Sequence, residues 1–384
     1  MSIKKILFIT PRNPFSEGFS GDKIRASNII SYLNKKTKID IICNDNKVET
    51  TKSKNYIVFK KANLILKFVY IFIALIKLKP IQTGFFYSPE IKKFVELNHK
   101  NYDVIICHLI RSAQYLPRNF KGRKILEMTD TYSENYKQTI EAMSFFNPLI
   151  IVYSLEKILV KKYEKFCLNF FDKIILVSKK ELLKSLNLKK NNKIVEVANG
   201  VEIHTKKFKF KKTNFKILFT GNIKYLPNKY ACYSFARSIL PKINKIYPEV
   251  EFHIVGEINF FDKFLLSLLK NTKVFGKIKN LTNTIKGSFC GLANLNISTG
   301  SQNKVLMYAS YGLPSVSSKK VFLGLNNNKK KLNFLYYKNE KQLIDLIIKL
   351  KKEKKFSEKI SKISRSYVRE FSWEKVLHKY NTHI

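Results

Sequence analysis

The residues best placed to do chemistry lie in residues 297–317, which read ISTGSQNKVLMYASYGLPSVS. A loop carrying Gly300 meets Gln302, Asn303 and Lys304, and a helix-like run over 305–311 follows, stopped by Gly312 and Pro314. Free backbone N–H groups and the positive dipole end attract anions at a helix start, and a lysine there adds a full charge. The stretch therefore reads as a phosphate-binding helix start or, equally simply, as a capped surface helix. Gly21 and Asp22 close a loop over 11–22 with two prolines and two glycines, and Lys23 and Arg25 open the helix behind it. Backbone approach to a phosphate is one reading of Gly21 and a plain turn is the other, because Gly18 and Gly21 do not make G-x-G-x-x-G. Gly221-Asn222 follows the apolar run ILFT, and His108 and Arg111 lie in CHLIR, just past another apolar run. A lone histidine at a strand end is either a site residue or packed interior. Metal chemistry is not expected: the six histidines show no H-x-x-x-H or H-E-x-x-H spacing. The five cysteines are scattered without C-x-x-C, which predicts a reducing compartment and no disulfide framework.

These residues need elements to hold them. Short β-branched runs at 5–10, 39–43, 56–59, 104–107, 124–128, 173–177 and 194–198 alternate with helical ones, notably 136–166, as in a doubly wound parallel α/β sheet. The turn dipeptide Asn199-Gly200 and the lysine-rich run 206–212 mark a linker. A second α/β unit follows, with strands at 215–220, 251–255 and 274–276, a helix over about 227–246, and helices at 342–350, 356–367 and 371–380. The chain is predicted to form an N-terminal domain, 1–203, and a second domain, 204–370. Loops from the carboxyl edges of two such sheets would make a ligand cleft.

Charge bounds the partners. The 72 Lys+Arg against 28 Asp+Glu give a net charge of +44, which favours polyanions. The basic residues are mostly lysines spread along the whole chain, without a basic block or a known module, so no specific nucleic-acid partner is expected. Residues 63–78, NLILKFVYIFIALIKL, are the most apolar in the chain, yet are too short to span a bilayer and are interrupted by Lys67. They read as a helix in the sheet's outer layer or as an interfacial helix on an anionic membrane; the flanking lysines favour the second. Residues 145–153 form a comparable patch. The N-terminal apolar run is too short for a signal-peptide core. The expected location is cytoplasmic, peripheral on the inner face of the cell membrane.

The succession ILFTGNIKYLPN, YPEVEFHIVGE, VFGKIKN and TGSQNKVLMYASYGLPSV resembles the donor-binding domain of family 4 glycosyltransferases. PRNPFSEGFSGDKIRASNIISYL, YDVIICHLIRSAQYL, YEKFCLNFFDKIILVSKKE and ANGVE resemble the acceptor-side domain, and FSWEKVLHKYN the closing helix that returns to it, over 371–384. The resemblance covers nearly the whole chain in order and is nearest to bacterial enzymes of surface-polysaccharide synthesis. It implies a GT-B fold, two facing Rossmann-like domains, and a nucleotide-sugar donor used without metal or other cofactor. It also implies transfer, with retention, to a surface-glycan acceptor carried on lipid. Residue by residue, it implies that Gly21 and Asp22 approach the donor phosphates or sugar, with Lys23 and Arg25 nearby, and that His108 sits by the donor sugar beside Arg111. Gly221 and Asn222 would lie under the diphosphate, near Glu257, and Ile278 would meet the nucleobase. Gly300, Gln302, Asn303 and Lys304 would face the diphosphate, Lys304 neutralising charge on the leaving group. The family's pair of glutamates eight positions apart is Thr299 and Met307 here. That departure keeps a second function open, a catalytically degenerate member that binds glycan or partners at the membrane. An epimerase of the same architecture is a weaker third.

Overall fold

The computed structural model describes residues 5–16, 20–46, 55–141, 143, 147–204, 208–278, 281–295, 303–325 and 334–383. Residues 5–16, 21–198 and 377–383 form one compact unit and Asn199–Val376 the other. The division falls after Ala198 and the chain re-enters the first unit at Leu377, against expected bounds of 203 and 371.

The first unit holds seven parallel strands: β1 (Lys5–Thr10), β2 (Lys38–Asp45), β3 (Tyr56–Lys60), β4 (Val104–His108), β5 (Arg123–Thr129), β6 (Lys173–Leu176) and β7 (Ile194–Glu196). Their order is β3-β2-β1-β4-β5-β6-β7, so the winding reverses between β1 and β4. Ligands of open α/β sheets bind outside the carboxyl ends at such a reversal. The central strands are nearly continuous apolar runs because helices cover both faces. Those helices are α1 (Gly21–Asn34), α2 (Leu64–Ile76), α3 (Ile81–Phe85), α4 (Pro89–Asn98), α5 (Tyr132–Glu141), α6 (Leu149–Phe170) and α7 (Lys179–Ser185). The helical run expected over 136–166 is broken, because Pro148 cannot continue a hydrogen-bonded helix and starts α6 instead. Asn147 Oδ1 accepts from the Leu149 N–H at 3.0 Å there.

Asn63 caps α2 by accepting from the Leu66 N–H at 2.9 Å. Of this apolar helix only Ala74 is buried, and the Tyr70–Ile71 backbone packs on Gly84 of α3. No described helix is long and apolar enough to cross a membrane. Residues 377–383 are tied to the first unit by the fully buried Tyr380, whose hydroxyl donates to Glu127. The expected closing helix is shorter, with 3₁₀ turns on both sides of a five-residue helix, Trp373–Leu377.

The second unit holds six parallel strands: β8 (Lys216–Thr220), β9 (Glu251–Val255), β10 (Thr272–Gly276), β11 (Ser288–Ala293), β12 (Ser315–Ser318) and β13 (Leu335–Tyr337). Their order, β10-β9-β8-β11-β12-β13, reverses between β8 and β11. Helices α8 (Leu226–Ser234), α9 (Leu240–Asn244), α10 (Phe260–Ser267), α11 (Leu281–Ile285), α12 (Asn303–Ser310), α13 (Lys319–Leu325), α14 (Glu340–Lys352), α15 (Lys354–Val368) and α16 (Trp373–Leu377) complete the chain. The single helix expected over 227–246 contains a π turn, Phe235–Ile239, just before Pro241. Proline brings no N–H to the ladder, and the ladder shifts by one residue to pass it. Tyr308 anchors α12 at the reversal: its hydroxyl donates toward the Leu218 and Leu292 carbonyls, at 3.0 and 3.3 Å, and accepts from the Thr220 N–H at 2.9 Å. A Cβ at Gly291 would lie 2.6 Å from the Tyr308 ring, so only glycine admits that packing.

Candidate functional site

In the first unit, Thr10 and His108 end the two strands at the reversal. Thr10 Oγ1 donates to the Arg12 carbonyl at 3.2 Å and lies 3.1 Å from His108 Nδ1, so the imidazole donates to it through Nδ1–H. Nε2 is left as a bare acceptor, buried and without a hydrogen-bond partner among the described residues. Burial pushes the imidazole pKa down to about 3; Asp22 opposes this, and Arg25, Arg111 and Arg12 add to it. His108 is therefore neutral at working pH and suited to accept from a hydroxyl. Two non-glycine residues, Leu109 just past β4 (φ 65°) and Thr129 at the end of β5 (φ 71°), have positive φ, a strain often found at working sites.

Asp22 pairs with Arg12 at 3.2 Å, and Lys23 Nζ donates to Ser16 Oγ at 2.6 Å. Gly21 is the first residue of α1. Arg25 does not belong with them. Its side chain is fully buried, with Nε 2.8 Å from Glu127 and the two terminal nitrogens donating to the Ala198 and Val197 carbonyls at 3.0 Å. Its charge is spent inside the fold, which corrects the acceptor-side expectation. Arg111 stacks on Phe86 at 4.3 Å, and Arg12 lies 5.4 Å from the same ring. Beside them a cavity of about 250 Å³ is lined by Arg12, Asn44, Lys61, Lys67, Phe85 and Tyr87. It lies at the carboxyl ends of β1 to β3, and Asn44 Oδ1 is buried there without a partner among the described residues. Lys61 has its pKa lowered by burial, although Asp45 at 3.8 Å works the other way.

In the second unit, three glycines with positive φ sit at the ends of adjacent strands: Gly221 (156°), Gly256 (144°) and Gly276 (67°). The Gly221 and Gly256 N–H groups donate to Val255 O and Gly276 O, at 3.0 and 2.8 Å. A Cβ on Gly256 would stand 1.7 Å from the Gly221 carbonyl oxygen, and nothing lies within 4 Å of one on Gly276. Glu257 ends this edge between Lys224 (3.0 Å) and Lys277 (3.5 Å). Partial burial works to raise its pKa, but the two lysines outweigh that and hold it below the usual range. Lys229 instead pairs with Asp262 at 2.8 Å.

Asn303 is exposed at the start of α12, whereas Lys304 points inward. Its Nζ donates to Asn228 Oδ1 at 2.8 Å and lies 3.9 Å from the centre of the Phe219 ring. Burial pushes its pKa down to about 7. Lys304 is therefore held inside the fold on Asn228, whose Nδ2 donates to the Asn222 carbonyl at 2.8 Å, which corrects the expectation of a direct diphosphate contact. Met307 and Ile278 pack partly buried against a cluster of Leu218, Val255, Tyr308 and Leu313. Gly300, Gln302 and Thr299 lie outside the described residues, as do residues 145 and 146 of the second apolar patch.

Residues 214–353 match the family model described as Glycosyl transferases group 1. That match lies within the second unit and covers a little over a third of the chain. No curated protein matches the chain by sequence. Among solved structures, HepE of Anabaena, in complex with UDP and glucose, is similar with a TM-score of 0.69 at 12% identity, covering 99% of both chains. Sucrose-phosphate synthase of Thermosynechococcus elongatus gives 0.74 at 13% identity, over 99% of this chain and 98% of that one. The lipopolysaccharide outer core galactosyltransferase WaaB, in its apo form, gives 0.56 at 14%, over 98% of each. The fold is GT-B, with two Rossmann-like units.

Within the second unit, the structure gathers Gly221, Asn222 and Glu257 at one edge and links Lys304 to them through Asn228. Sequence reasoning passed over Asn228; its one signal was a polar residue straight after Pro227. In the first unit it passed over Thr10, Arg12 and Phe86. Arg12 was open to notice, because it follows the first strand directly.

Proposed function

We propose that this protein transfers a sugar, with retention of configuration, from a nucleotide-sugar donor to a surface glycan carried on lipid, at the inner face of the cell membrane. The observation that carries the reading is the cradle of Gly221, Gly256 and Gly276 at the carboxyl edge of a group 1 glycosyl transferase domain. Backbone without side chains can approach a diphosphate closely, and Lys224 and Lys277, which share the Glu257 carboxylate, leave a net positive charge at the same edge. HepE was solved with UDP and glucose, which supports a nucleotide-sugar donor. WaaB, a lipopolysaccharide outer core galactosyltransferase, supports a glycan acceptor.

In this reading the donor needs no metal or other cofactor. Negative charge growing on the leaving diphosphate is met by the net positive charge that Lys224 and Lys277 leave around Glu257. Lys304 keeps the Gly221–Asn222 turn in place through Asn228. His108 accepts a hydrogen bond from a sugar hydroxyl through Nε2, and the cavity beside Arg12 and Phe86 receives the acceptor. One wall of that cavity is Lys67 of the exposed helix α2, which supports an acceptor arriving from a membrane. Purified protein incubated with membranes and a panel of nucleotide sugars tests the proposal through nucleotide release and glycan labelling. A folded protein inert towards every donor would sink it.

Met307 favours one other reading, a degenerate member that binds glycan without transferring sugar. The side chain sits 4.0 Å from Thr220 Oγ1 and offers a ribose only a weak thioether acceptor. Met307→Glu separates the two: donor binding that rises from undetectable to strong supports degeneracy, and binding already present in the unaltered protein removes it.

A further inference from the structure

A second cavity of the first unit, about 460 Å³, opens between the end of α2, α4, residues 113–118 and α6. Five basic side chains line it: Lys77, Lys79, Lys92, Arg118 and Lys162. Lys92 pairs with Glu96 at 3.2 Å. Among the described residues, no carboxylate lies within ion-pair distance of the other four. Burial first, then the charges of Lys77, Lys92 and Arg118, lower the pKa of Lys79, as expected where cations share a site without an anion. Phe166 and Phe170 complete the walls.

The cavity adjoins an exposed apolar surface made by α2 and α6. Leu64, Phe68, Phe72 and Ile76 form one stripe of α2 at 64–71% exposure. On α6, Ile151, Leu155 and Ile158 are exposed, and the same helical stripe continues through Lys162 and Phe166 into the cavity. Helix α3 binds the two together. Gly84 packs so close to the Tyr70–Ile71 backbone that a Cβ would clash at 2.4 Å, and the Glu156 carboxylate accepts from the Ile81 and Gln82 N–H groups at 2.6 and 3.2 Å. Exposed apolar area of this extent marks an interaction surface. Its rim of unneutralised cations matches an anionic bilayer, and the basic cavity is sized for a headgroup.

We propose that this cavity binds the phosphate headgroup of an anionic bilayer phospholipid while the exposed faces of α2 and the first half of α6 enter the acyl layer. The proposal deepens the membrane placement above and is independent of the sugar-transfer chemistry. Flotation of the full chain with vesicles of phosphatidylcholine, with and without phosphatidylglycerol, tests it. The anionic vesicles are expected to bind about tenfold more tightly. The double variant Lys79→Glu/Arg118→Glu, checked for folding by circular dichroism, is expected to lose that preference. Phe68→Ser/Phe72→Ser is expected to weaken flotation on both vesicles. A charge-reversed variant that floats like the unaltered protein overturns the headgroup site and leaves the membrane placement standing. Absence of flotation on either vesicle overturns both.

Discussion

Lys304 carries a prediction that can be worked through from the structure. Its amine is surrounded by Asn228, Phe219 and the thiol of Cys232, with no carboxylate among the described residues, and burial moves its pKa from the ordinary 10.5 to about 7. Between these values the unfolded chain holds a proton that the folded chain has released. Stability therefore rises with pH across that window and falls as pH drops towards 7. One such proton is worth about 1.36 kcal/mol per pH unit, or about 2 kcal/mol between roughly pH 8 and 9.5. Lys304→Met removes the proton, and the other depressed lysines, Lys61 and Lys79, remain to cancel in the comparison. Denaturant midpoints at the two pH values can be followed through Trp373, the single tryptophan, which packs on Gly200 within the second unit. The unaltered protein should gain about 2 kcal/mol more than the variant over this interval. Equal gains would show that Lys304 is charged inside the fold and refute the inward-facing, neutral amine.

Other outcomes follow from the same geometry. Arg25→Ala leaves Glu127 buried without its cation and should cost about 3–5 kcal/mol in the first unit, read by thermal denaturation. His108→Ala should lower kcat/KM about ten- to a hundredfold by removing one hydrogen-bond acceptor. Because burial holds the imidazole pKa near 3, His108 should contribute no limb to the rate profile between about pH 5 and 8; a limb near 6.5 that vanishes in His108→Ala would contradict this. Gly256→Ala should displace the Gly221 turn and lower transfer about a hundredfold. Unaltered transfer by a folded Gly256→Ala variant would remove the cradle from the account.

What the sequence made legible was what is local. The strands β1 and β8 to β10 announce themselves as short apolar runs followed by proline or glycine. Strand β11 does not, because Cys290, Gly291 and Ala293 are small, and Gly291 is small to make room for the Tyr308 ring. The apolar character of α2 was plain, but that it stays exposed is a fact of the tertiary structure. Arg25 looked like a site residue because its partner Glu127 lies 102 positions away. Lys304 was noticed for the right neighbourhood and given the wrong contact, since Asn228 stands 76 residues before it. Side chains whose meaning depends on a distant partner could not be read from spacing alone.

The central claim is that this chain takes its sugar from a nucleotide-bound donor held by the second unit. Its most direct measurement is transfer by the purified protein, with membranes as acceptor, across a panel of nucleotide sugars. The account predicts nucleotide release and glycan labelling with a donor of that class, lost when Gly221 and Gly256 are replaced. Labelling that survives those replacements, or none with any donor from a folded protein, would contradict it.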